Sequence, residues 1–151
     1  MGTKLTKEQI LAAMPQQPPF LFIDEAVVEE GKISAVYKIK EDEVFFKGHF
    51  KGNPVFPGTL MLETLGQLGV LYLLKSGDSN IGADVDSKKI FFISADGCRC
   101  QRICRPGEVM ECTAKVEKMR YPIARFSGEM RIAGQKAASA EMITLTFDYV
   151  K

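Results

Sequence analysis

Two side chains in this sequence are of the right type for proton transfer and lie close enough along the chain to work together. His49 is the only histidine among 151 residues and sits in the stiff stretch "GHFKGNPVFPG". Glu63 follows fourteen positions later, inside the apolar run "TLMLETLGQLGVLYLL". A neutral imidazole can take a proton. A carboxyl group on an apolar helix is costly to ionise, so its pKa rises and it can donate one. Gln67 comes four residues after Glu63, on the same face of a helix, where its amide can hold the carboxyl in one rotamer. Gly58 lies where that helix begins, so its N–H is available to an oxygen gaining negative charge. A base, an acid, an amide that orients the acid and an oxyanion donor suffice for β-elimination of water from a 3-hydroxyacyl thioester. That reaction requires no metal and no redox cofactor. No Ser or Cys nucleophile stands beside a base, which argues against covalent acyl transfer but leaves attack by water open.

These residues need a scaffold, and the chain supplies signals for one. "TKEQILAAM" reads as a short helix with Thr6 as N-cap and Gln9 completing a capping box, ended by Pro15. "FLFIDEAVVEEGKISAVYKIK" gives two β-rich runs around Gly31, the pattern of a hairpin. The run from Thr59 to Leu74 is apolar on nearly every face and predicts a buried helix entered through Pro57 and Gly58. Gly66 and Gly69 weaken that helix, which predicts close packing against both, as from a sheet wrapped around it. After the polar loop 76–88 come four extended runs, "KIFFISADGCRC", "VMECTAKVEKMR", "IARFSGEMRIA" and "KAASAEMITLTFDYV". The turns between them are short, so the strands are expected to be antiparallel. The expectation is an α+β domain of about six strands and one long central helix, occupying the whole chain.

Composition narrows the function classes. Charges nearly balance at a formal +1, but residues 1–87 carry 8 Lys/Arg against 12 Asp/Glu, whereas residues 88–136 carry 11 against 5. The basic part suits an acidic partner or a solvated strand face. It is not joined to a nucleic-acid-binding module, so nucleic acid is not an expected partner. The central helix is too short, and too interrupted by Glu63 and Gln67, to cross a membrane. Cys98, Cys100, Cys104 and Cys112 lack paired CxxC spacing and histidine neighbours, so they read as reduced thiols rather than a metal or disulfide site. The N-terminus has no apolar export segment, which points to the cytoplasm.

The combination of "GHFKGNPVFPG" with "LMLETLGQ", preceded by "PPFLFIDE" and followed by "RPGE", resembles the 3-hydroxyacyl-acyl carrier protein dehydratases of fatty-acid synthesis, the FabZ/FabA type. The resemblance runs from about Pro15 to the C-terminus. It implies the hotdog fold, an antiparallel sheet wrapped around a central helix. It implies homodimers, with trimers of dimers as a further assembly, and an active site at the dimer interface. By resemblance His49 is the catalytic base, Glu63 the catalytic acid contributed by the other subunit, Gln67 its orienting amide and Gly58 the oxyanion donor. The implied partner is acyl carrier protein bearing the substrate on phosphopantetheine, for which Arg99, Arg102 and Arg105 are docking candidates. Glu at the acid position matches the dehydratase branch, since the isomerising branch typically has Asp there, although "QLGVLYLL" after the acid is similar to the isomerising branch and leaves that activity open. The chain departs from the pattern at "PQQPPF", where dehydratases commonly show a His and an Arg, and in the Cys- and Arg-rich "DGCRCQRICRPGE". Two other readings remain: a hotdog acyl thioesterase, and a non-catalytic hotdog subunit that binds acyl chains.

Overall fold

The computed structural model describes residues 2–151. Strand β1 (Thr3–Leu5) leads into helix α1 (Lys7–Ala13), whose capping box between Thr6 and Gln9 forms as the sequence predicts. Strands β2 (Glu25–Glu29) and β3 (Lys32–Lys38) make the expected hairpin, with Gly31 at φ +76° in its turn. Helix α2 (Gly58–Lys75) is the long central helix. Strands β4 (Phe91–Asp96), β5 (Arg99–Cys100), β6 (Val109–Arg120), β7 (Ile123–Ile132) and β8 (Gln135–Thr146) complete the chain.

All strand pairs are antiparallel, in the order β1-β2-β3-β6-β7-β8-β4, with β5 also paired to β8. The sheet thus has eight strands rather than about six. Two causes account for the difference. The short segment at Thr3–Leu5 borrows its strand character from β2, which it pairs, and "KIFFISADGCRC" is broken at Gly97, where φ reaches +62°. Register shifts at Phe92/Ser94, Val116/Lys118 and Phe126/Gly128 are bulges, which bend and twist the strands that carry them.

One face of the sheet closes on α2. Alternate residues point inward, among them Ile33, Ala35 and Tyr37 of β3 and Ala124, Phe126 and Met130 of β7, all buried. They meet Met61, Leu65, Leu68 and Leu71 of the helix. Burial of each such large side chain stabilises the fold by about 1.5–3 kcal/mol. Close approach depends on glycine at two points. A Cβ at Gly69 would stand 3.0 Å from the Phe126 ring and 3.1 Å from Leu145, and one at Gly128 would stand 3.2 Å from Leu65. Gly66 corrects the sequence expectation, because a Cβ there would meet nothing within 4 Å. It lies on the side of α2 that the chain's own sheet leaves open. On the outer face, Lys115, Lys118 and Arg120 of β6 are exposed, so this part of the basic region is a solvated strand face.

Candidate active site

The loop carrying His49 is closed by its own backbone and tied to the distant loop between β5 and β6. Phe50 and Asn53 exchange two backbone hydrogen bonds of 2.9 Å, with Gly52 between them at φ +68°, a conformation open chiefly to glycine. The Phe56 N–H donates to the Cys104 carbonyl at 2.8 Å, and the Arg105 guanidinium donates to Asn53 Oδ1 at 2.9 Å. These contacts hold the half-buried imidazole against the stacked ring of Phe50, 3.9 Å between centroids. His49 Nδ1 lies 2.8 Å from the Val55 carbonyl. A carbonyl only accepts, so Nδ1 carries the proton and donates it there. Nε2 is therefore the nitrogen with a free lone pair, and its direction is set by the Val55 contact.

The acid is held just as firmly from the helix side. Glu63 is half-buried, and burial pushes its carboxyl above the usual range, opposed in part by the hydrogen bond from Gln67. Gln67 itself is buried, and its orientation is forced. Its Oε1 accepts the Phe22 N–H at 2.9 Å, so its Nε2 must point the other way, where it donates to the Phe20 carbonyl at 2.9 Å and to Glu63 Oε2 at 3.0 Å. The carboxyl is thus offered a donor at one oxygen, which leaves the other to carry the acidic proton. The "PPFLF" segment acts here through its backbone: its N–H and C=O groups define which way the glutamine amide faces.

Gly58 is the first residue of α2, behind an N-cap, Pro57, that makes no side-chain cap. The first N–H groups of a helix have no intrahelical acceptor and sit at the positive end of the helix dipole. Facing this turn is Cys100, whose Sγ lies 3.6 Å from the Gly58 carbonyl. A Cβ added at Gly58 would come within 3.1 Å of that sulfur. Glycine therefore lets Cys100 approach the helix entry closely.

The structure brings Glu63 and Gln67 into contact and sets Gly58 at the start of the same helix. Among the described residues, no hydrogen bond joins His49 to Glu63 within the chain. A cleft of about 640 Å³ lies instead on the outer sheet face, lined by residues such as Lys4, Val27, Val36 and Thr113, and includes none of the four. The three arginines differ. Arg99 is exposed, Arg102 is paired with Glu108 at 2.8 Å and bonded to Gln135, and Arg105 clamps the His49 loop. The cysteines are all free thiols; Cys98 and Cys100 are exposed, Cys104 and Cys112 buried. The Val55 carbonyl, the Phe20 and Phe22 backbone and Cys100 were not foreseen. Backbone groups leave no mark in residue identity, and Cys100 reaches Gly58 only through strand pairing.

This arrangement can remove a proton at one carbon and deliver one to a leaving oxygen, with an N–H at hand for the charge that develops between. Comparison with known proteins agrees with that chemistry. The proteins named 3-hydroxyacyl-(acyl-carrier-protein) dehydratase FabZ of Caulobacter vibrioides (strain NA1000 / CB15N) and Proteus mirabilis (strain HI4320) are similar. The first is 34% identical over 97% of this chain and 91% of its own. The second is 37% identical over 90% of this chain and 89% of its own. A subunit of the dehydratase heterocomplex ApeI:P from Xenorhabdus doucetiae superposes with a TM-score of 0.72 at 14% identity, covering 95% of this chain and 91% of that one. A hypothetical thioesterase protein from Streptococcus pneumoniae TIGR4, solved with coenzyme A, superposes at 0.60 with 9% identity, covering 82% and 84%. These two likenesses concern the fold, which is the hotdog arrangement. The model of the FabA-like domain matches residues 14–141, spanning both the His49 loop and α2, and the chain belongs to the FabA-like domain family.

Proposed function

We propose that this protein is a 3-hydroxyacyl-acyl carrier protein dehydratase of fatty-acid synthesis or a related lipid pathway. The observation that carries the reading is the half-buried carboxyl of Glu63, pushed toward its neutral form and oriented by the tethered amide of Gln67. His49 Nε2 takes the proton from C2 of the (3R)-3-hydroxyacyl thioester. The C2–H electron pair becomes the C2–C3 double bond as the C3–O bond breaks. Glu63 gives its proton to the departing hydroxyl, which leaves as water, and the Gly58 N–H stabilises the enolate character on the thioester carbonyl. Transfer of the C2 proton through solvent back to the carboxylate restores both groups, and the product is the trans-2-enoyl thioester.

The working site is assembled between two copies, with His49 from one and Glu63 from the other. Two features support this: the lack of a His49–Glu63 contact within the chain, and the free edge strand β4, where Phe91, Phe92 and Ile93 are 63%, 64% and 50% exposed. An exposed apolar edge is a template for pairing with another sheet. Each copy is a single hotdog domain, and trimers of such dimers are a further assembly of the same unit. The substrate arrives on acyl carrier protein. Of the three docking candidates Arg99 and Arg105 are exposed, but Arg105 is engaged with the His49 loop through Asn53 and Arg102 is paired with Glu108, which leaves Arg99 as the one whose guanidinium is not committed to either contact. Among the described residues no helix is long and apolar enough to cross a membrane, and the proposed carrier-bound substrate puts the enzyme's work in the cytoplasm.

The test is hydration of a short enoyl thioester, the reverse reaction, followed by loss of the conjugated absorbance for wild type, His49→Ala and Glu63→Gln. Thiol release is measured in the same tube. Hydration by the wild type, lost by roughly 10²–10⁴-fold in both variants, is the expected result. Thiol release without hydration would assign a thioesterase instead, and silence in both channels with carrier-bound substrate would assign an acyl-binding subunit.

A further inference from the structure

Helix α2 holds two interior glycines with opposite surroundings. Gly69 is required by packing, because a Cβ there would press on Phe126 and Leu145 at 3.0 and 3.1 Å. Gly66 is not: a Cβ there would meet nothing within 4 Å, and the residue is half-exposed. Glycine is among the least favourable residues inside a helix, and nothing in this chain's own core accounts for its use at this position. Gly66 lies three residues after Glu63 and immediately before Gln67, so it shares the open face of α2 with the acid. The half-buried Leu62, one turn earlier, gives that face an apolar floor.

Resting on the proposed reaction, we infer that Gly66 is a specificity-determining residue, whose missing side chain leaves room for the apolar tail of the acyl thioester just beyond C3. The placement follows from Glu63. If its carboxyl protonates the hydroxyl on C3, the carbons next to C3 must pass within one turn of the acid. Three residues of helix rise about 4.5 Å, the reach of the first few carbons of an extended tail. On this open face the acid and the gap at Gly66 stand side by side, and a side chain at residue 66 would project into the path of a long tail while leaving the C2–C3 centre clear. The occupant is an aliphatic chain rather than a second copy of this protein, because the gap opens beside the carboxyl that meets C3 of the substrate in the proposed reaction and is floored by the apolar Leu62.

The experiment compares wild type, Gly66→Ala and Gly66→Leu in the hydration of crotonyl, octenoyl and dodecenoyl pantetheine thioesters, with oligomeric state followed by size-exclusion chromatography. In the Leu variant the ratio of dodecenoyl to crotonyl kcat/KM is expected to fall by roughly 10- to 200-fold, with Ala intermediate and the oligomer unchanged. Equal loss at all lengths accompanied by dissociation would overturn the inference and make Gly66 a packing residue between copies. An unchanged length profile would overturn it too. Calorimetric binding of saturated acyl-pantetheines of the same lengths separates this inference from the proposed reaction. If wild type hydrates none of the thioesters, the reaction is refuted, while selective loss of long-chain binding in Gly66→Leu still upholds the tail site and equal binding by both proteins overturns it.

Discussion

Replacing Gln67 with Leu separates the structural work of this glutamine from its effect on the acid. Leucine nearly matches the volume of glutamine, so the cost comes mainly from hydrogen bonds rather than from a cavity. The Phe22 N–H, buried with its residue only 1% exposed, loses its 2.9 Å acceptor. A buried donor left unpaired costs about 1–3 kcal/mol, and the lost bond to the Phe20 carbonyl adds about 1 kcal/mol. The sum, roughly 2–4 kcal/mol, corresponds to a fall in melting temperature of roughly 5–15 °C for a chain of this size. The effect on catalysis has a definite sign. Gln67 lowers the Glu63 pKa by donating to its carboxylate, so removing it raises that pKa further. In the proposed reaction Glu63 acts in its protonated form, so the alkaline limb of the dehydration pH–rate profile should move to higher pH, while kcat falls because the carboxyl is no longer held in one rotamer. The assay is the pH dependence of kcat for wild type and variant below the variant's melting temperature, beside thermal denaturation. An alkaline limb that stays in place or moves down would refute the assignment of Glu63 as acid and of Gln67 as its orienting group.

Three further outcomes follow from other parts of the structure. Gly69→Ala is expected to destabilise by roughly 1–3 kcal/mol despite better helix propensity, since Phe126 and Leu145 must give way, whereas Gly66→Ala should gain about 0.5–1 kcal/mol; paired urea denaturation curves decide it. Tyr72→Phe removes a fully buried hydroxyl that donates to Asp78 at 2.6 Å and accepts the Gly31 N–H at 2.9 Å, and should cost about 1–3 kcal/mol in the same measurement. Glu63→Gln should be more stable than wild type at pH 8. The folded-state pKa of Glu63 is raised, so wild type gains stability as pH falls through that value toward the unfolded-state value of about 4.3, and the gap should close there; a gap that widens on acidification would contradict the raised pKa.

What the sequence determined alone is what local rules encode. Thr6 and Gln9 form their capping box, Gly31 turns the first hairpin, and Pro57 and Gly58 open the central helix, because each depends on neighbours within a few residues. Spacing of four residues placed Glu63 and Gln67 on one helix face, and the 3.0 Å contact follows from helix geometry. The family motif likewise lies in two short contiguous stretches. Tertiary structure decided everything that depends on which segments meet. Gly66 and Gly69 look alike in sequence, yet only Gly69 faces Phe126 and Leu145, since sheet register fixes which side of the helix is covered. The proton on His49 Nδ1 follows from a carbonyl six residues away whose approach depends on loop closure, and the direction of the Gln67 amide follows from backbone groups of Phe20 and Phe22 more than forty residues upstream. Arg99, Arg102 and Arg105 form one basic cluster in sequence, but the folding of the loop between β5 and β6 turns Arg102 to Glu108 and Arg105 to Asn53, while Arg99, on β5, is exposed. Periodicity records the preferences of a residue for its own turn or strand, whereas these contacts join loops, helix and sheet, where only the folded arrangement says what each side chain will find.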